Sequence, residues 1–354
     1  MKMCQALARH KKSHVTLYGK RGSWLKNAFL YYGVNDTFKI KRSILGKIPL
    51  LSGATRLLFT FFHAGLIKRP DVYYGRDALG LMILCYVFKR PVFFEAHQIP
   101  ARQYQKWIWN ALLKSKRLKG VVVISKALAA DFKNDFSFYT KPILVAHDGA
   151  DIPRQAPQKI PQSKWCGRKG IMQVGYTGSL HQGRGMELIV DVARLVPEMD
   201  FHIVGGTNEE VKDWEAKGIP QNLYLHGSKP HSKIAAYLDK FDIVLAPYQP
   251  RIHIGAGEDI SRWISPMKLF EYMAASKPII CSDIPVLHEI IQKGRNGLMV
   301  SSQDPTQWVD ALCDLSKSQS YREALGQEGF KDIQDHYSWN IRADHVIEFI
   351  KEHL

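Results

Sequence analysis

The strongest restriction on the fold is a rhythm of short apolar runs, each ended by a turn-forming or small polar residue and followed by a stretch of helical spacing. In the C-terminal part the runs are Met172–Thr177, Phe201–Val204, Leu223–Leu225, Ile243–Ala246 and Ile279–Cys281, closed by Gly178, Gly205-Gly206, His226-Gly227, Pro247-Tyr248 and Ser282-Asp283. In the N-terminal part they are His14–Tyr18, Asp71–Tyr74, Pro91–Phe94, Val121–Ile124 and Ile143–Ala146. Unbroken runs belong to strands covered on both faces, and regular exchange of strand and helix is the pattern of a parallel doubly wound sheet. Between Ile152 and Gly170 the chain carries Pro153, Pro157 and Pro161 among Gln and Lys. The two series therefore read as separate Rossmann-like α/β domains, 1–151 and 171–337, joined by a linker at 152–170. A chain of 354 residues is long enough to give each its own core.

Charge separates the halves. The formal net charge is +16, with 26 Lys and Arg against 7 Asp and Glu in residues 1–150, and 23 against 26 in residues 151–354. An excess confined to one half points to an anionic partner for that half. No nucleic-acid module pattern is visible, so an anionic membrane surface is the expected partner rather than nucleic acid. Residues 20–47, rich in Lys, Arg and aromatics (Trp24, Phe29, Tyr31, Tyr32, Phe38), are where an interfacial surface would lie, followed by an apolar stretch that reads equally as a partly buried helix. That stretch, Ile48–Ile67, is broken by Arg56 and His63, and Leu79–Phe88 is too short to span a bilayer. With no signal peptide in view, the expectation is a cytoplasmic protein, peripheral on the membrane. Five Cys are scattered without a C-x-x-C, so neither a disulfide frame nor a zinc site is expected.

The chemistry gathers in Ser265–Glu289, SPMKLFEYMAASKPIICSDIPVLHE. Ser265 is expected as N-cap and Pro266 as the first residue of a helix whose free N–H groups face an anion. Lys268 falls in that first turn and Glu271 one turn on, while Leu269, Phe270, Met273 and Ala274 form the inward side. The lysine can neutralise phosphate, and the glutamate can accept ribose hydroxyls. A Gly-rich turn, Gly178-Ser179-Leu180-His181-Gln182-Gly183-Arg184-Gly185, follows the first strand of the same half. Its amides can approach a pyrophosphate and Arg184 can grip one bidentately.

The Ser265 stretch resembles the donor-binding motif of the family 4 (GT-B) nucleotide-sugar glycosyltransferases, in a sub-pattern reading S-P-x-K-x-x-E-Y-M-A. The resemblance covers nearly the whole chain and is strongest at 171–195 and 261–300. It implies a GT-B fold, two Rossmann-like domains facing each other across a cleft, the first binding the acceptor and the second the nucleotide sugar. It also implies that 338–354 is a helix crossing back to the first domain. Retaining transfer without a metal is implied, with Arg184 and Lys268 absorbing charge on the leaving diphosphate, and no cofactor beyond the nucleotide-sugar co-substrate. Glu95-Ala96-His97 is similar to the E-x-H of related transferases, which makes His97 a catalytic candidate facing the donor sugar. Donor-binding positions by the same resemblance are Gly178, Ser179, Arg184, His226, Ser265, Lys268, Leu269 and Glu271, with Pro247-Tyr248 as a base neighbour. The acceptor implied is a glycan or lipid-linked glycan in surface polysaccharide assembly. Two departures stand out: Trp263 occupies the place of the family's usual first Glu, with Glu258 and Asp259 upstream. The opening strand and Gly-rich turn that precede a helix such as Met1–Arg9 are also expected to be missing. They motivate a rival expectation, a catalytically inactive GT-B-like binding protein.

Overall fold

The computed structural model describes residues 1–10, 13–19, 28–42, 64, 70–153, 156, 159–254 and 258–354. Trp24 and, apart from Ala64, the apolar stretch at 48–67 lie outside the described residues. The chain forms two compact units, Met1–His147 with Trp339–Leu354, and Asp148–Ser338.

In the first unit, helices α1 (Lys2–Ala8) and α2 (Ala28–Tyr32) accompany a parallel pair of strands, β1 (Thr16–Gly19) and β2 (Lys39–Arg42). A four-stranded parallel sheet follows, with β3 (Tyr73–Gly75), β4 (Val92–Ala96), β5 (Leu118–Val123) and β6 (Ile143–Val145) side by side in chain order. Helices α3 (Ala78–Tyr86), α4 (Gln103–Lys114) and α5 (Lys126–Asp135) make the crossovers. Asp77 and Ser125 start α3 and α5 by accepting the N–H of Gly80 and Leu128, so the polar tips of β3 and β5 serve as caps. Phe94, Trp109, Phe132 and Phe136 form one aromatic cluster, while Phe93, Val122 and Ala146 pack against Val346 and Phe349 of the C-terminal helix. Gly120 makes that packing possible: a Cβ there would fall 2.6 Å from the Phe349 ring.

The second unit is a six-stranded parallel sheet, ordered β14-β13-β10-β7-β8-β9. Its strands are β7 (Gln173–Thr177), β8 (Asp200–Val204), β9 (Leu223–Gly227), β10 (Ile243–Ala246), β13 (Ile279–Ser282) and β14 (Leu298–Val300). The crossovers include α6 (Met186–Leu195), α7 (Asn208–Ala216), α8 (His231–Lys240) and α9 (Met267–Ala274). The unit closes with α10 (Pro305–Lys317) and α11 (Gln319–Asp332), and α12 (Trp339–His353) is counted with the first unit. The apolar face of α6 drives its docking: Met186, Ile189, Val190, Val192 and Ala193 are buried with Val174, Phe201 and Trp308.

The connection expected as a linker is ordered at its end. The proline-bearing segment is fastened to the second unit before Gly170, because Trp165 Nε1 donates to Gln173 Oε1 at 2.9 Å and the Arg168 guanidinium meets Asp200 at 2.8 Å. The polar loop after Tyr248 contains two short antiparallel strands, β11 (His253–Ile254) and β12 (Glu258–Asp259), with Asp259 Oδ1 accepting the Ile252 and Ser261 N–H groups. Among the described residues no helix is long and apolar enough to cross a membrane.

Candidate functional site

In the second sheet the chain runs outward from β7 through β8 to β9, then crosses back to β10 on the other side of β7. Loops leaving β7 and β10 therefore diverge, and such a switch point leaves a crevice at the carboxyl ends of the strands. Tyr272 of α9 ties the two strand ends together. Its hydroxyl accepts the Thr177 N–H at 2.8 Å and lies 3.3 Å from the Leu245 carbonyl, to which it donates.

Lys268 enters this place from the first turn of α9. Its Nζ stands 3.8 Å from the centroid of the Tyr176 ring and 4.9 Å from that of Tyr248. A Cβ on Gly178 would lie 3.0 Å from the same nitrogen, so the Gly178 turn and the lysine share one place. The stem of Lys268 is partly accessible, whereas its Nζ is buried and has no hydrogen-bond partner. Burial pushes the ammonium well below its ordinary pKa and neighbouring Arg184 pushes it further, against the opposing pull of Glu271. Arg184 arrives from the turn before α6, its Cζ 5.6 Å from the Tyr248 ring and its Nε buried without a partner. Contacts with tyrosine faces give each cation about 0.5–2 kcal/mol, less than desolvation removes. The missing ingredient is negative charge.

Glycine is required around these cations. Gly185 has φ +82°, and a Cβ there would fall 1.9 Å from the Pro247 carbonyl oxygen, so the Arg184 turn is pressed on the chain leaving β10. Tyr176 closes the Gly178 turn by donating its hydroxyl to the Ser179 carbonyl at 2.7 Å.

The remaining expected residues divide. Glu271 lies one turn beyond Lys268 and its Oε1 is 2.8 Å from His231 Nε2 at the start of α8. His231 was not singled out by sequence; a histidine after Pro230 carries no pattern of its own. Ser265 is not the cap. Its Oγ accepts the Asp148 N–H at 2.8 Å, Pro266 takes the N-cap position without a side-chain bond, and α9 begins at Met267. The first-turn amides thus have no side-chain cap. The Leu269 side chain is fully buried with Phe270 and Met273, in the core rather than among the polar groups. Tyr248, expected beside a base, lies beside the two cations.

His226 turns elsewhere. Its Nε2 meets His202 Nδ1 at 3.0 Å, and its ring stacks on Trp165 with centroids 5.3 Å apart. Burial, and then His226, hold His202 down to about 3; burial, and then Lys229, hold His226 down to about 4. Unfolded histidine titrates near 6.5, so above that pH both are neutral in either state. Below it the unfolded chain takes up protons that the folded one refuses, and stability falls until the folded groups titrate. The melting temperature of the protein is expected to decline steadily from about pH 6.5 towards pH 4, and His226→Gln to flatten part of that slope. An equally steep slope in the variant would contradict the assignment.

His97 belongs to the first unit. Its Nε2 is 2.6 Å from Glu95 Oε1, directly after β4. Burial opposes charge on Glu95, but Arg342 and His97 outweigh it and hold the carboxyl below its ordinary range.

Comparison with known proteins adds the family. Residues 172–318 match the family described as Glycosyl transferases group 1. The putative teichuronic acid biosynthesis glycosyltransferase TuaH of Bacillus subtilis is 25% identical over 202 residues, 55% of this chain and 46% of that protein. The chain spans about half the length of the curated relatives it matches first. Sucrose-phosphate synthase from Thermosynechococcus elongatus shares the fold with a TM-score of 0.75 at 15% identity, over 99% of this chain and 91% of that one. HepE from Anabaena, solved with UDP and glucose, gives 0.72 at 14% identity, over 99% and 94%. The Gly178–Lys268 site thus lies inside the segment that matches the group 1 glycosyltransferases, and the chain has the GT-B fold of these solved structures.

Proposed function

We propose that the protein transfers a sugar from a nucleotide-diphosphate donor to a glycan or lipid-linked acceptor in surface polysaccharide assembly. The observation that carries this reading is the buried, unpartnered Lys268 Nζ beside Arg184 at a Gly turn. A diphosphate supplies the missing negative charge, and these cations with the α9 amides stabilise it as it leaves. They take the part a divalent cation has in other transferases, so transfer is proposed to need no metal. Retention of configuration and a role for His97 towards the donor sugar rest on the resemblance of the motifs. Glu271, paired with His231, accepts ribose hydroxyls in this reading. A panel of nucleotide sugars, screened for thermal stabilisation and then for transfer, tests the reading. Stabilisation by none of them would end it.

Trp263 in place of the usual Glu favours a second reading, a binding protein without turnover. It predicts nucleotide-sugar binding with neither transfer nor donor hydrolysis.

The anionic membrane partner has its own support. On α4, Tyr104 and Trp107 are 57% and 65% exposed on the face that ends at Lys114, whose Nζ stands 5.5 Å from the Phe138 ring. Exposed aromatic rings flanked by lysine on a strongly basic half suit a lipid headgroup layer. Co-sedimentation with anionic vesicles at low salt is expected, falling in Trp107→Ala; no co-sedimentation would remove this partner.

A further inference from the structure

An ammonium at Lys268 has three N–H donors, and its buried Nζ finds an acceptor for none of them. The neighbouring hydroxyls are turned to other partners: Tyr176 donates to the Ser179 carbonyl, while Tyr272 accepts the Thr177 N–H and donates to the Leu245 carbonyl. Burial pushes the phenols of Tyr176, Tyr248 and Tyr272 upward, so none supplies a phenolate as counter-charge. Tyr248 faces two cations at once, with Lys268 Nζ 4.9 Å and Arg184 Cζ 5.6 Å from its ring centroid. The amides that open α9, where Lys268 itself stands, have no side-chain cap and add positive potential. Two carboxylates oppose this, and both are engaged elsewhere. Glu271 of α9 is paired through Oε1 with His231 Nε2 at 2.8 Å. Glu210 of α7, whose charge acts on Tyr176, accepts the Thr207 N–H with Oε2 at 2.7 Å and meets His181 Nδ1 with Oε1 at 2.8 Å. Burial, and after it Arg184, hold the lysine well below its ordinary value, with Glu271 pulling the other way. A buried group so placed gives up its charge rather than keep it.

We propose that Lys268 is a neutral amine in the empty site and becomes an ammonium only as the diphosphate enters, so that each nucleotide bound draws one proton from solution. The proposal rests on the diphosphate reading above and adds how that site is regulated. A neutral amine leaves two N–H donors and a lone pair unmet in place of three donors and a charge. A diphosphate reverses the balance, because it brings acceptors and negative charge together and makes the ammonium the favoured form. The lysine therefore titrates higher with nucleotide than without it. Affinity is full where the empty site is already protonated and falls as pH rises through the interval between the two states, by up to about tenfold per pH unit. High pH favours release of the nucleotide and lower pH its retention. Losing the proton moderates the cost of burial without removing it, since the unfolded chain keeps that proton up to about pH 10.4.

The test is calorimetric titration of the full chain with UDP and GDP, beside uridine and guanosine, at pH 8.0 in Tris, Tricine and HEPES, buffers of different ionisation heat. The terminal phosphate loses its second proton at about pH 6, so at pH 8.0 it has none to release on binding. For the diphosphate that binds, the measured heat should change with the buffer by the equivalent of one proton taken up. Its affinity should fall about tenfold between pH 7.5 and 8.5. Lys268→Arg, whose guanidinium keeps its charge, should bind with neither dependence, whereas His231→Gln and His181→Gln should keep both. Tight binding of a diphosphate to the unsubstituted chain without proton uptake would overturn the proposal and leave the diphosphate reading standing. So would uptake that persists in Lys268→Arg or disappears in either histidine variant. A diphosphate that binds no better than its nucleoside is a different result, and ends the diphosphate reading together with the proposal.

Discussion

Lys268→Met is expected to abolish measurable sugar transfer, a loss of about 10²–10³-fold or more, while leaving the protein at least as stable as before. Both halves follow from one geometry. The ammonium is buried over the Tyr176 ring with no hydrogen-bond acceptor, so the empty protein bears its desolvation without full compensation. Methionine keeps the apolar stem against Tyr176 and Tyr248 and removes the uncompensated charge, and such replacements are often neutral or stabilising. Function runs the other way, because the diphosphate loses the cation aimed at it. Arg184→Gln shares the direction for activity. Transfer at the unsubstituted rate by Lys268→Met would remove the lysine from the mechanism; a clear fall in melting temperature would show that it holds the fold instead. The two readouts are independent.

Gly205→Ala should be the most damaging single methyl group in the second unit. Gly205 has φ +147°, and a Cβ there would stand 1.7 Å from the Gly178 carbonyl oxygen, a backbone atom that no side-chain rotation can move aside. The two segments are already bonded to their neighbours, Gly178 N–H to the Val204 carbonyl and Gly205 N–H to that of Gly227, each at 3.0 Å. Relief therefore requires moving the end of β7, and with it the turn under Lys268. Strain plus clash amount to roughly 2–5 kcal/mol, a fall in melting temperature on the order of 10 °C for a unit of this size. Nucleotide binding should weaken as well. Gly218→Ala is the control: its φ is +78°, but a Cβ there meets nothing within 4 Å, so only the backbone preference is lost. Equal effects from the two substitutions would mean that the contact with Gly178 does not matter.

How much of this was legible beforehand depends on the kind of signal. Strands and crossovers could be read because buried parallel strands are written as unbroken apolar runs, and Ile243–Ala246 or Phe201–Val204 fit nothing else. That Lys268 and Arg184 meet could be expected from their places in the first turn of a helix and in a Gly-rich turn after a strand, both at the carboxyl ends of one sheet. The tyrosines beneath the cations could not. Tyr176 lies on β7 and Tyr248 just after β10, and only the strand order places β7 beside β10. His226 misled for a related reason: a histidine at a strand end can face either side of the sheet, and Trp165, far back in the supposed linker, draws it away. Ser265 fits a capping pattern, but Pro266 has ψ 98° and delays the helix by one residue, freeing the hydroxyl for Asp148. The ion pairs of Glu95 with Arg76, His97 and Arg342 in the first unit draw on a spacing that no linear motif records.

The central claim is that Lys268 and Arg184 recognise a diphosphate. Calorimetric titration with UDP and GDP beside uridine and guanosine, on the unsubstituted protein and on Lys268→Met, measures that recognition. One diphosphate should bind at least a hundredfold more tightly than its nucleoside, with the advantage collapsing in the variant. Equal affinity for nucleoside and diphosphate, or an advantage untouched by Lys268→Met, would contradict the account.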